Sequence, residues 1–77
     1  MTLTDKIAQA QRHVDNGRLI IECQRETVFR YQTRASFDLL EKFEQTQEIF
    51  EMDLAALLKR RIVEEYLEEL LRPRKPS

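Results

Sequence analysis

An all-α fold, two long antiparallel helices joined as a coiled-coil-like hairpin, is the class this sequence predicts, on three observations. Gly occurs once and Pro twice, both prolines among the last five residues, so the turn chemistry that sheets require is missing. Charged residues make up 35% of the chain, a composition suited to helices with long solvated faces. Two seams of mostly apolar residues recur at alternating spacings of three and four, the 3.5-residue repeat that keeps one stripe turned toward a partner.

The first helix is expected over about residues 5–32. Thr2 or Thr4 can cap it, because a hydroxyl oxygen accepts from an unpaired backbone N–H and Asp5 suits the positive helix end. Its seam is Ile7, Ala10, Val14, Gly17, Ile21, Gln24, Val28 and Tyr31. Asp15-Asn16-Gly17 reads in isolation as a turn, and a Gly inside a helix costs about 1 kcal/mol relative to Ala. The repeat nonetheless passes through Gly17 without a change of phase, which favours a continuous helix over a break. A continuous helix would make Gly17 a point of close approach by something bulky.

Between Tyr31 and Leu39 the apolar pattern falters, and Thr33, Ser36 and Asp38 offer caps, so a turn is expected over 33–37 and a second helix over 38–71. With no Gly or Pro there, one long bent helix is the alternative. The second seam is Leu40, Phe43, Gln47, Phe50, Leu54 and Leu57, followed by a wider apolar face of Ile62, Val63, Tyr66, Leu67, Leu70 and Leu71, which leaves room for a third C-terminal helical segment. Pro73 ends the pattern, and 72–77 reads as a disordered basic tail outside a single helical domain of residues 1–71.

Folding the chain back near residue 34 would pair residues whose numbers sum to about 68, so that Val28 meets Leu40, Ile21 meets Gln47 and Val14 meets Leu54. In that register Gly17 faces Phe50, Arg25 faces Glu44, and Arg18 faces Glu51. Gln24 and Gln47 then lie close enough to bond side chain to side chain, either as a buried pin of the register or as a solvated seam edge. Residues 1–36 carry six basic and four acidic groups and residues 37–71 four and ten, so the two halves have opposite sign. Such halves point to mutual packing more than to nucleic-acid binding, which needs a concentrated basic surface.

Candidate chemistry is sparse. His13 is the only histidine and lacks companions at the Glu-x-x-His spacing of helical metal sites, so a surface or seam-edge role is expected. Cys23 cannot form an intramolecular disulfide and has no histidine at a sequence-suggested spacing, which reads as a small packed or inert thiol in a reducing, cytoplasmic setting. Glu64, Glu65, Glu68 and Glu69 read as a solvated helix face before a cation site. Lys59-Arg60-Arg61 and the tail residues Arg72, Arg74 and Lys75 make the best case for phosphate contact, weakened by the acidic residues that follow the first run and the shortness of the second. No cofactor or metal is expected. The longest apolar run, Leu54 to Leu58, is far short of the ~20 residues that span a bilayer.

The surplus apolar residues carry more information. Ile49, Met52, Ala56 and Val63 form a second stripe off the first seam, and Leu19, Ile20 and Phe29 on the first helix are likewise unaccounted for by one hairpin. A chain of 77 residues gains only ~3 to 5 kcal/mol from a core of its own. A homodimer with a four-helix arrangement is therefore expected, acting as a non-enzymatic interaction or regulatory adaptor toward a protein partner whose identity is open. The alternative is a small helical bundle that grips RNA or DNA with Arg12, Arg18, Arg25, Arg30 and the tail.

The stretches His13-Val14-Asp15-Asn16-Gly17, Gln24-Arg25-Glu26 with Val28, Leu39-Leu40, Phe43-Glu44, Thr46-Gln47 and Asp53-Leu54 resemble a group of short helical-hairpin proteins of unknown function common in rhizobial-type bacteria. The resemblance covers roughly residues 10–57 and implies a folded family without implying an activity. Members of that group carry a longer linker with Gly and Asp-Thr between the helices, and often His at the place of Phe50. Phe50 leaves His13 of this chain without a histidine counterpart.

Overall fold

A computed structural model describes residues 1–73, and within them the chain is two helices and one short connection. Helix α1 spans Leu3–Tyr31 and helix α2 spans Arg34–Leu71. The expectation of two long helices packed side by side holds, while the predicted tail falls largely on residues 74–77, outside the described residues.

Local chemistry explains each boundary. The Thr2 hydroxyl accepts from the Asp5 N–H at 3.1 Å while the Asp5 carboxylate accepts from the Thr2 N–H at 3.2 Å, a reciprocal box that starts α1 two residues earlier than predicted. At the other end Gln32 adopts a left-handed conformation with φ 47°, and its N–H donates to the Val28 carbonyl, which stops α1. Thr33 follows at once as the cap of α2: its hydroxyl accepts from the Ser36 N–H, and the Ser36 hydroxyl donates back to the Thr33 carbonyl at 2.7 Å. The expected five-residue turn over 33–37 is thus Gln32 and Thr33 alone, and α2 gains a turn at its start. It runs unbroken to Leu71, so the segment after Arg61 is a continuation of α2 and not a third helix.

α1 is continuous through Gly17. Its seam is the one read from the repeat: Ala10, Val14, Ile21 and Gln24 are buried, Ile7, Gly17 and Val28 half-buried, and only Tyr31 at the end is exposed. On α2, Ser36 and Gln47 are buried and Leu40, Phe43, Phe50, Leu54 and Leu57 half-buried.

The register differs from the expectation by about one helical turn. Facing residues have numbers that sum to between 60, for Gln24 with Ser36, and 64, for Gly17 with Gln47. The early cap at Thr33 is the reason, because the extra turn at the start of α2 slides each of its residues along α1. Gly17 consequently lies against the Gln47 amide and not against Phe50, which stacks on His13 at a ring-centroid distance of 5.1 Å. Gln24 and Gln47 do not bond to each other. The Gln24 Nε2 donates to the Ser36 carbonyl and the Gln47 Nε2 to the Val14 carbonyl, each at 2.9 Å, so each glutamine of one helix grips the backbone of the other.

Two consequences of this geometry bear on function. The molecule is only 14 Å thick along its shortest axis, the depth of a single layer of helices, so each helix is covered on one side. In addition, Lys6 of α1 lies level with Leu57 of α2, so α1 ends near residue 60 and the last eleven or so residues of α2 project past it. From Lys59 onward every described residue is exposed.

A Cβ on Gly17 would fall inside the van der Waals radius of Gln47 Oε1. Gly17→Ala should therefore destabilise the wild-type background, where Gln47 must abandon its buried hydrogen bond, yet stabilise Gln47→Ala by about 1 kcal/mol through helix propensity alone. Denaturant melts of the four proteins measure this coupling, expected at about 1 to 3 kcal/mol. Equal effects of Gly17→Ala in both backgrounds would remove Gln47 from that contact.

Candidate functional site

The surface that one hairpin leaves uncovered is the outer face of α2. Successive residues of a helix turn by about 100°, so Ile49, Met52, Ala56 and Val63 point roughly half a turn away from the seam made by Leu40, Gln47, Phe50, Leu54 and Leu57. The structure places all four on one exposed stripe, with Met52 72% and Ile49 66% accessible. Tyr66 and Leu70 extend the stripe at the same three-four spacing through the projecting end of α2, where Ile62, Leu67 and Leu71 widen it. Only Lys59 interrupts it. In the sequence Tyr66 and Leu70 read as part of the wider face that follows the inward seam, whereas the phase of the repeat turns them to the outer side together with Val63.

The apolar surplus on α1 is different in kind. Leu19, Ile20 and Phe29 are exposed, but their directions around the helix differ by roughly 80 to 180°, and Phe29 lies about 15 Å further along the axis. They form no common face, so they are single exposed residues of the sort any small protein carries.

The charged groups arrange themselves within each helix. Among the described residues the ion pairs are Glu26–Arg30 at 2.7 Å, Arg60–Glu64 at 3.0 Å, Arg61–Glu65 at 3.9 Å and Glu69–Arg72 at 3.7 Å. None crosses between helices. The shifted register separates Arg25 from Glu44 and Arg18 from Glu51, so the expected cross-helix pairs do not form. The same bonds blunt the basic run, because Arg60 and Arg61 each carry a carboxylate one turn on, as does Arg72 one turn back. This local neutralisation weakens any claim of the run on phosphate.

His13 stacks on Phe50 at the edge of an open groove lined by Lys6, Gln9, Ala10, His13, Asp53 and Leu57. The groove brings an imidazole, an ammonium and a carboxylate near one another. It does so on an open surface without the enclosure that tunes catalytic groups. Cys23 is an exposed free thiol on α1 and not a packed one. Among the described residues no three of His, Cys, Asp and Glu converge as metal ligands, and no helix is long and apolar enough to cross a membrane. Comparison of the chain with family models, curated proteins and solved structures gives no match.

Separation of Arg25 from Glu44 has a direct readout. Arg25→Glu and Glu44→Arg should each shift stability by less than about 0.5 kcal/mol, and the double variant should equal their sum within a similar margin. A charge-swap rescue beyond that margin would restore the longer register.

Proposed function

We propose that this protein is a small non-enzymatic interaction module, an adaptor or regulator that works by self-association through the outer face of α2. The observation that supports this reading is the length and phase of the uncovered stripe: it runs from Ile49 to Leu70, at helical spacing, on the side of α2 that its own hairpin partner does not reach. Apolar surface of this continuity is disfavoured on an isolated monomer and is commonly buried against another chain.

The small core points the same way. Among the described residues the buried apolar ones are Ala10, Val14 and Ile21, a set too small to hold a 29-residue and a 38-residue helix together with much margin. Closing a second layer over α2 would cover what the first layer leaves wet. The reading as a nucleic-acid binder is weaker, since the arginines of α1 are interspersed with Asp15, Glu22 and Glu26 and those at 60 and 61 are already paired. A gel-shift titration with mixed RNA and DNA is expected to show no complex that weakens steeply with salt.

Met52→Glu tests the main reading, because it sets a carboxylate within the apolar contact, where a charge without a partner is strongly disfavoured. Wild type should sediment as a dimer at micromolar concentration, with a thermal midpoint that rises with concentration, and Met52→Glu should sediment as a monomer that melts earlier. A wild type that stays monomeric, with a midpoint independent of concentration, would overturn self-association.

A further inference from the structure

Resting on that reading, we infer that the occupant of the stripe is a second copy of α2 laid antiparallel, in the single register that sets Ile49 against the partner's Tyr66 and Met52 against the partner's Val63. The stripe has its own heptad frame: Ile49, Ala56, Val63 and Leu70 occupy one seam position, and Met52, Lys59 and Tyr66 the other. Antiparallel pairing alternates the two, so allowed registers differ by steps of seven residues in the sum of facing positions.

Charge selects among those registers. On one flank of the stripe stand Asp53 and Arg60, seven residues apart and of opposite sign. In the proposed register Asp53 lies beside the partner's Arg60 and, by two-fold symmetry, Arg60 beside the partner's Asp53. A slip of one step in one direction would bring Asp53 onto the partner's Asp53, and a slip in the other would bring Arg60 onto the partner's Arg60. Both neighbours juxtapose like charges, which costs pairing energy and suppresses them. Glu48 faces the partner's Glu69 at the two ends of the contact, where solvent screens a like pair.

The interruption at Lys59 fits the same arrangement. At the centre Lys59 faces the partner's Ala56, whose small side chain leaves room for the aliphatic stem to lie along the contact while the ammonium reaches water. Parallel pairing would instead set Lys59 against the partner's Lys59 inside the seam and Glu48 beside the partner's Asp53, two repulsions without a compensating attraction. The two-fold axis therefore passes between Ala56 and Lys59. Each projecting α2 end then lies along the body of the other molecule, and the exposed Val63 and Tyr66 are covered.

Disulfide trapping reads the register. Met52→Cys and Val63→Cys are made separately on a Cys23→Ser background, which removes the native thiol, and are oxidised alone and as a refolded mixture in a glutathione redox buffer. Antiparallel pairing sets each residue about 16 Å from its own copy along the axis, beyond the ~7 Å Cα reach of a disulfide, so neither variant alone should cross-link. The mixture should give a covalent dimer joined through 52 and 63, in on the order of half the chains, the statistical share of mixed dimers. Cross-linking of Met52→Cys with itself would establish the parallel arrangement and overturn the proposal. A mixture that stays unlinked, while Met52→Glu still dissociates the dimer, would overturn the register and leave self-association standing. A wild type that is monomeric throughout would overturn both.

Discussion

The position of the two helices along one another depends on a pair of buried amides. Gln24 and Gln47 each direct Nε2 at a main-chain carbonyl of the opposite helix, at Ser36 and at Val14, and both glutamines are buried. An apolar seam tolerates sliding, because the Ala, Val and Ile of α1 can meet the Leu and Phe of α2 comparably at several offsets. A buried amide does not tolerate it. Moving α2 by one turn would leave each nitrogen without its acceptor, a cost of about 1 to 3 kcal/mol per group in an interior this small. Gly17 belongs to the same device, since the Gln47 head lies on bare backbone where any other residue would place a Cβ. The Gln47 Oε1 is the first atom such a Cβ would meet, so the amide lies directly against that backbone.

The extent to which the fold is legible in the sequence follows from which interactions are local. Thr2 with Asp5 and the three-four spacing of both seams act within a few residues, and they specify helices and their inward faces. Gly17 is likewise readable as a point of close approach. What approaches it is not, because that depends on where the chain turns. Thr33, Ser36 and Asp38 are all competent caps, and choosing the first of them rather than the last shortens the connection and displaces every later residue by a turn. The pairing of Arg25 with Glu44 and of Arg18 with Glu51 was a plausible second witness to register, yet exposed ion pairs are too weak to set it against two buried amides. The outer stripe was partly readable. Ile49, Met52, Ala56 and Val63 are legible as a stripe of their own, whereas Tyr66 and Leu70 read as part of the wider face after the inward seam and join the stripe only when its three-four phase is followed past Val63.

The two faces of α2 carry different chemistry, and the difference bears on what each can do. The inner face contains glutamines that reach the α1 backbone, a recognition specific to one neighbour at one offset. The outer face is largely apolar from Ile49 to Leu70, interrupted at its middle by Lys59 and flanked by Asp53 and Arg60. Under the proposed self-association, such a face would discriminate by repulsion of wrong alignments more than by any one strong contact.

The two-residue connection also shapes how the chain acquires its structure. Gln32 and Thr33 bring Gln24 and Ser36 together across a separation of twelve residues, whereas Gln47 and Val14 are thirty-three apart. Loop-closure entropy grows with separation, so joining Gln24 to Ser36 costs less chain entropy than joining Gln47 to Val14. The end of α2 past residue 60 has no part of α1 beside it, although its helix runs on to Leu71. Its order as a helix rests on its own backbone and on local pairs such as Arg60 with Glu64 and Arg61 with Glu65, which are the terms that hold an isolated helix and not a packed one.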